Sequence, residues 1–194
     1  MSFNISIQHD LKKFRQQLSA LEKQAYEPAV VRTLNRTAES AKVASTRYVA
    51  TQLGSKQSGV KRRIETIRAT PRRLWATLVA HGRPLQLIEF VVGSKKPTQQ
   101  LGGKRGLVKT KVFGKQKTYY KAFIAPRHTG DSKTTMYIRK GKKRKPLKMM
   151  YGPGIEQVFR KPENDKIMQD KVRERLPIEF ARNLEFYIQR LKNR

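Results

Sequence analysis

Positive charge is concentrated in the middle of this 194-residue chain, and this limits what the chain can fold into. Residues 55–150 carry twenty-six basic and three acidic side chains, a net charge of +23. Residues 1–54 and 151–194 carry net charges of only +4 and +3. A segment this charged repels itself when it is compact. The pattern predicts two ordinary amphipathic ends and a middle segment that forms an electrostatic surface.

The total charge indicates the class of partner. Forty-four lysines and arginines against fourteen acidic residues give a net charge of +30. Solubility alone needs a net charge of only about 2–8 in a small domain. A polyanion or an acidic protein surface would relieve the repulsion, and nucleic acid is the commonest such partner. The hydrophobic share of 37% is below the usual value of about 45–50%. We therefore expect a modest core, supplemented by neighbours in an assembly.

Several classes of protein are excluded by what the sequence lacks. The chain has no cysteine, which excludes disulfides, thiolate metal sites and cysteine nucleophiles. It has no run of about 18 apolar residues, so no membrane-spanning helix is expected. The first residues lack the basic-then-apolar order of a signal peptide. The length fits a single domain.

Helical periodicity marks the N-terminal part. A first helix is predicted after an N-cap at Asp10. A second has Pro28 in its first turn, runs to about Gln52 and stops at Gly54. A third is predicted over residues 58–68. The second helix has an inner stripe of mostly small side chains, which would allow close packing against another helix or subunit. Alternatively, the stripe faces a thin core. Its members are Val31, Leu34, Ala38, Ala41 and Ala44 or Ser45.

The closing helix, over about residues 163–192, has the clearest apolar stripe in the chain. Pro177 falls inside the pattern, so a break or kink is expected near Leu176. Helices at about 10–53 and 163–192 are expected to pack together. The stripe consists of Val172, Leu176, Phe180, Leu184, Ile188 and Leu191.

The middle of the chain is typical of strands and basic loops. Residues 94–106 have the composition of a mobile basic loop, and residues 85–92 are apolar without a clear type. Three to five strands in a meander or small barrel-like sheet would account for the rest. The strand candidates are residues 73–80, 107–113, 119–125 and 135–139.

The predicted fold is therefore α+β, with N-terminal helices and a long C-terminal helix packed with a small, mostly antiparallel, basic β-sheet. We expect one domain over residues 1–194. Within it, residues 1–70 form the helical part, residues 71–155 the basic β-rich part with mobile loops, and residues 156–194 the C-terminal helix.

No constellation of catalytic residues is apparent. A metal-dependent nuclease needs several converging acids, but the middle segment has only Glu65, Glu89 and Asp131. The three histidines lack metal-ligand spacing; they are His9, His81 and His128. Neither a Walker-type phosphate loop nor a dinucleotide-binding glycine motif occurs. We expect a protein that is not an enzyme and that has no cofactor, no metal and no small-molecule substrate.

Clusters of lysine and arginine instead predict passive contact with phosphates, which gives affinity without reading sequence. The aromatic residues among them, such as Tyr119 and Phe123, are better explained by sheet packing than by base stacking, which favours a duplex over a single strand. The expected anion-contacting residues are Lys61, Arg62, Arg63, Arg72, Arg73, Lys95, Lys96, Lys104, Arg105, Lys142, Lys143, Arg144 and Lys145.

A family resemblance rests on six segments that occur in order. Residues 29–41 (AVVRTLNRTAESA) resemble the "A-x-N-R-x-A-x-S-A" segment of the phage minor tail protein Z, or tail completion protein, family. Residues 144–155 resemble its "R-x-P-I-x-x-x-x-G-P-S-I" segment, with Gly154 in place of Ser. Residues 120–124 resemble the family's Gly-Ala-Phe segment, with Lys121 in place of Gly. The remaining matches are residues 60–64, 83–88 and 173–177.

The resemblance implies a virion protein at the head-proximal end of the tail, needed for joining the tail to the head. It also implies contact with tail terminator and other neck or tail proteins and with phage DNA. We expect a homo-oligomeric ring in the assembly, and the host cytoplasm as the place of assembly. The alternative is a free, non-sequence-specific nucleic-acid-binding protein of the ribosomal or nucleoid-associated type.

Overall fold

The structure is a computed structural model that describes residues 2–6, 20–93, 95–96, 107–126, 134–141, 143 and 145–193. Contacts within the chain define two compact units. The first unit comprises Met1–Tyr48, Lys61–His81 and Phe159–Arg194, and the second comprises Val49–Val60 and Gly82–Val158. The predicted α+β class is confirmed, whereas the single domain over residues 1–194 stays a prediction. Among the described helices, none has an apolar stretch long enough to cross a membrane.

The first unit combines two long helices with a three-stranded antiparallel sheet. Its strands are β1 (Ser2–Ser6), β2 (Ile64–Ile67) and β3 (Trp75–Ala80), in the order β1-β3-β2. The helices are α1 (Ala20–Leu53), which continues into the second unit, and α4 (Pro162–Lys192). The predicted helix that begins at Asp10 lies largely outside the described residues.

Helix α1 begins earlier than the sequence predicts. Pro28 lies inside the helix, so the prediction that it occupies the first turn is wrong. The helix tolerates it because a long buried stripe stabilises both sides of the missing N–H. The C-terminal end is confirmed, since Gly54 follows Leu53 with a φ of 72° and glycine adopts that conformation at little cost. The stripe repeats every four residues and is fully buried; it consists of Ala25, Ala29, Thr33, Thr37, Ala41, Ser45, Val49 and Leu53.

The predicted helix over residues 58–68 is wrong in its second half. Only α2 (Gln57–Lys61) is helical, and the chain then extends into β2. Ile64 is opposite Ala80 and Ile67 is opposite Thr77 in β3. β-Branched residues fit a paired strand better than a helix, and pairing with a strand that is distant in sequence overrides the local periodicity.

Helix α4 confirms the predicted closing helix but not its break, because it runs continuously through Pro177. The apolar stripe is only half-buried, and three of the four buried residues of this helix are polar, among them Glu179 and Asn183. The Asn183 side chain donates to the Thr33 hydroxyl at 3.1 Å, which in turn donates to the Ala29 carbonyl at 2.7 Å. Hydrogen bonds between polar groups therefore fix the contact between α1 and α4, as the predicted packing of these helices requires.

The second unit contains the remaining strands in two further antiparallel sheets, so the predicted single sheet of three to five strands is wrong. One sheet pairs β4 (Val108–Val112) with β5 (Lys115–Tyr119). The other has the order β6-β7-β8, formed by Ala122–Pro126, Thr134–Arg139 and Leu147–Met149. Strand β5 was not predicted.

Two short helices remain, one inside the second unit and one at its C-terminal boundary. The apolar stretch at residues 85–92, whose type the sequence left open, contains a 3-10 helix at Leu87–Phe90 that buries Leu87, Ile88 and Phe90. Helix α3 (Glu156–Phe159) follows the last strand. The described end of the predicted basic loop, Lys95 and Lys96, comes directly after this apolar stretch; residues 97–106 lie outside the described part.

Gly152 allows the chain to approach the 3-10 helix closely, and we expect Gly152→Ala to lower the free energy of unfolding by about 1–2 kcal/mol. A Cβ at this position would lie 2.7 Å from a ring carbon of Phe90, which is 2% exposed. The matched control is Gly141→Ala, whose Cβ would meet nothing within 4 Å, and which should leave stability unchanged or slightly raised. Urea unfolding measures both variants, and equal effects would contradict the packing explanation.

Candidate nucleic-acid interface

The predicted anion-contacting residues are divided between the two units. Nine of the thirteen lie in the described part of the chain, and their exposure and contacts differ. Lys61, Arg62, Arg63, Arg72 and Arg73 belong to the first unit, and Lys95, Lys96, Lys143 and Lys145 to the second. Lys104, Arg105, Lys142 and Arg144 lie outside the described residues.

The first cluster occupies the connection between α2 and β2. Lys61 is the last residue of α2, and both it and Arg62 are exposed. Arg63 is half-buried, and its carbonyl accepts the His81 backbone N–H at 2.8 Å. That bond extends the β2–β3 ladder by one step, so the backbone of Arg63 is fixed while Lys61 and Arg62 lie at the surface.

Arg72 and Arg73 are neighbours with different roles. They lie in a tight turn closed by two backbone hydrogen bonds between Thr70 and Arg73, each of 2.9 Å. The Arg73 guanidinium donates to the Arg68 carbonyl at 2.6 Å and lies 4.6 Å from the centre of the Trp75 ring. Arg73 therefore stabilises its own turn, whereas Arg72 is exposed at the top of it.

Lys95 is the least available of the predicted lysines in the second unit. It is half-buried, and its ammonium donates to the Glu89 carbonyl at 3.1 Å. Burial lowers the pKa of Lys95, nearby Lys56 lowers it further, and Glu89 acts in the opposite direction. Thr134 also donates to the Lys95 carbonyl at 3.1 Å. These contacts place Lys95 within the fold, next to the exposed Lys96.

Lys143 and Lys145 lie on the connection between β7 and β8, and both are exposed. The ends of this connection are held together, since the Lys140 N–H donates to the Pro146 carbonyl at 3.2 Å. Lys140 and Lys148 are exposed as well. The structure therefore presents four exposed lysines within nine residues, three of them on this connection and Lys148 on β8.

The balance of charge separates the units more clearly than the predicted clusters do. The described residues of the second unit include fourteen basic and two acidic side chains, and thirteen of the fourteen are exposed. In the described part of the first unit the numbers are twenty and ten. The second-unit cations are Lys56, Arg83, Lys95, Lys96, Lys109, Lys111, Lys115, Lys117, Lys121, Arg139, Lys140, Lys143, Lys145 and Lys148.

Two groups of cations were missed. The first lies on the β4–β5 hairpin, where the sequence predicts a strand at residues 107–113 but not its partner β5. The second lines an open groove of about 730 Å³ in the first unit, between α1, α4 and residues 68–71. The arginines of this groove come from segments distant in sequence, so no run of basic letters could reveal them; they are Arg32, Arg36, Arg68, Arg175 and Arg182.

The groove is partly neutralised from within. Glu179 accepts from Arg36 at 3.3 Å and from Arg175 at 2.9 Å, and Arg32 lies 4.6 Å from the centre of the Phe186 ring. Arg32 and Arg36 therefore stabilise the contact between α1 and α4, and Arg175 is engaged by Glu179 of its own helix. Across the described ranges, no three histidines or carboxylates lie close enough together to hold a metal ion; Asp131 lies outside those ranges.

Comparison with known proteins shows which family this sequence resembles. The model of the family described as prophage minor tail protein Z matches residues 10–194, nearly the whole chain. Neither the curated proteins nor the solved structures yield a match. The family match covers all six segments on which the resemblance rests.

Proposed function

Because this chain belongs to the prophage minor tail protein Z family, we propose that it completes the head-proximal end of the tail and binds DNA there without reading its sequence. Membership makes it a structural protein of the phage tail, present in the virion, with other tail proteins as partners. Head–tail joining, assembly as a ring of identical subunits in the host cytoplasm, and DNA contact belong to the proposal. In this role the chain performs no catalysis.

One observation carries the DNA contact: the described part of the second unit exposes thirteen cations and contains two carboxylates. Surface cations that meet phosphates release condensed counterions, and this release supplies sequence-independent affinity. A contact with an acidic protein would also use such a surface. The cations are spread over four strands and their connections, which favours a continuous phosphate backbone over a single acidic patch.

Binding of duplex DNA by the purified chain should therefore depend steeply on salt. Each phosphate contact contributes about −0.9 to the slope of log affinity against log salt. With five or more contacts we expect a slope of about −4.5 or steeper, and affinities within about threefold for unrelated duplexes. Fluorescence anisotropy across a salt series measures both quantities.

A flat slope, or no binding of DNA at low salt, would contradict the DNA contact. If purified tail or neck proteins then bind the chain in a salt-dependent way, the cationic surface serves an acidic protein. Position is tested separately by cross-linking in purified particles: cross-links at the head–tail junction support the proposed place. Recovery with ribosomes or chromosomal DNA instead of particles would support the free nucleic-acid-binding alternative.

A further inference from the structure

The turn of the β4–β5 hairpin contains an aromatic residue in a conformation that aromatic residues avoid. Val112 is opposite Lys115, so the turn consists of Phe113 and Gly114 alone. Both have positive φ, 49° and 75°, as in a type I′ turn, where Asn-Gly is the preferred pair. A bulky residue with positive φ is a strained outlier. The local backbone therefore does not favour phenylalanine at this position.

Burial does not fully explain the choice either. Phe113 is 43% exposed, so a large part of its ring lies in solvent at the end of the hairpin. Its backbone N–H donates to the Leu53 carbonyl at the end of α1, at 3.3 Å. That bond fixes the turn through the backbone, and any residue other than proline could make it. The ring itself is left available for a ligand.

Lysines lie on both faces of the hairpin whose turn contains this ring. Residues opposite each other or two apart on a strand share a face, so Lys109 and Lys111 lie on one face and Lys115 and Lys117 on the other. All four are exposed, and the hairpin contains no carboxylate. A flat acidic surface would engage one face only, whereas a nucleic-acid groove has a phosphate wall on each side.

We propose that the β4–β5 hairpin enters a groove of duplex DNA, with Phe113 placed against or between base pairs and the lysines on the two phosphate backbones. Two-stranded ribbons fit the major groove, and apolar wedges, phenylalanine among them, insert between base steps in the minor groove. The inference rests on the proposed DNA contact and goes beyond it, because it assigns one hairpin and one side chain to the duplex interior.

The test compares the full-length chain with its Phe113→Asn variant. Asn-Gly suits this turn, so the variant should fold, with a Tm close to the wild-type value. We expect its affinity for duplex DNA to fall about 5–150-fold, the range for loss of one base–aromatic contact. The slope of log affinity against log salt should not change, because no charge is removed. Phe113→Trp, which retains a stacking ring, should restore most of the affinity.

A second readout reports on the bases directly. Duplexes that carry 2-aminopurine at successive positions become more fluorescent when the probe is unstacked, and wild type should produce this signal where Phe113→Asn does not. Tyr120→Asn is the matched control, since Tyr120 is 74% exposed and follows β5 at the opposite end of the hairpin; it should behave as wild type.

If wild type binds DNA and Phe113→Asn binds equally well with the same signal, the inference is overturned while the DNA contact stands. If wild type does not bind DNA, the proposed DNA contact itself has failed, and the inference fails with it.

Discussion

Replacing Glu179 with alanine will lower the free energy of unfolding by about 2–3 kcal/mol. Breaking a fully buried ion pair costs about 3–5 kcal/mol because a charge is left without a partner. The Glu179 side chain is 5% exposed, but those of Arg36 and Arg175 are 39% and 38% exposed. The two guanidinium groups can therefore recover part of their hydration, which places the effect below that range. Urea unfolding of the full chain measures it.

Glu185→Ala is the matched control for that experiment. Glu185 lies on the same helix but is exposed, and its hydrogen bond from Gln189 is long, at 3.4 Å, so its removal should change stability by less than about 0.5 kcal/mol. The double variant Arg36→Ala, Glu179→Ala should lose less than the sum of the single losses, because the two side chains share one contact. Equal effects of Glu179→Ala and Glu185→Ala would mean that the buried carboxylate does not hold α1 against α4.

Exchanging Lys140, Lys143, Lys145 and Lys148 for glutamine will weaken binding of duplex DNA at least about tenfold at moderate salt. If all four contact phosphates, the slope of log affinity against log salt becomes less steep by about 3–4, since each contact contributes about 0.9. Stability should change little, because all four side chains are exposed. The anisotropy salt series used for wild type measures the change.

The control for this variant removes the same charge from the first unit. Lys161, Lys166, Arg190 and Lys192 are exposed on or next to α4, and their exchange for glutamine should change affinity less than about threefold and the slope by less than 1. If both quadruple variants lose affinity equally, binding follows the total charge of the chain, and the second unit is not a specific interface. This result would also weaken the inference about the hairpin.

The sequence is enough to locate elements whose signals are local. Gly54 predicts the end of α1 because glycine alone adopts a positive φ without strain, and the alternation of β4 predicts a strand with a buried and an exposed face. The extent of α4 follows from its stripe and from Pro162 at its first position. The basic runs are likewise visible as letters, and the described members of the β7–β8 connection are exposed in the structure.

The hairpin shows where local signals are insufficient. A two-residue turn is normally recognised by Asn-Gly or Asp-Gly, whereas this chain has Phe-Gly, so β5 was not predicted and its lysines were missed. The same holds for β2, where Ile64 and Ile67 fit a helical stripe as well as a strand. Only pairing with β3 decides between the two, and pairing energy comes from residues that a local window does not contain.

The concentration of charge in residues 55–150, and with it the expectation of an anionic partner, follows from the sequence alone, because charge depends on residue type and not on conformation. Which cations are available depends on the tertiary structure. It engages Arg73 in its own turn and Lys95 with Glu89, it gathers five arginines of distant segments around a groove, and it places four lysines on the two faces of one hairpin. Exposure and proximity are properties of packed elements, and packing is set by contacts between residues far apart in the chain.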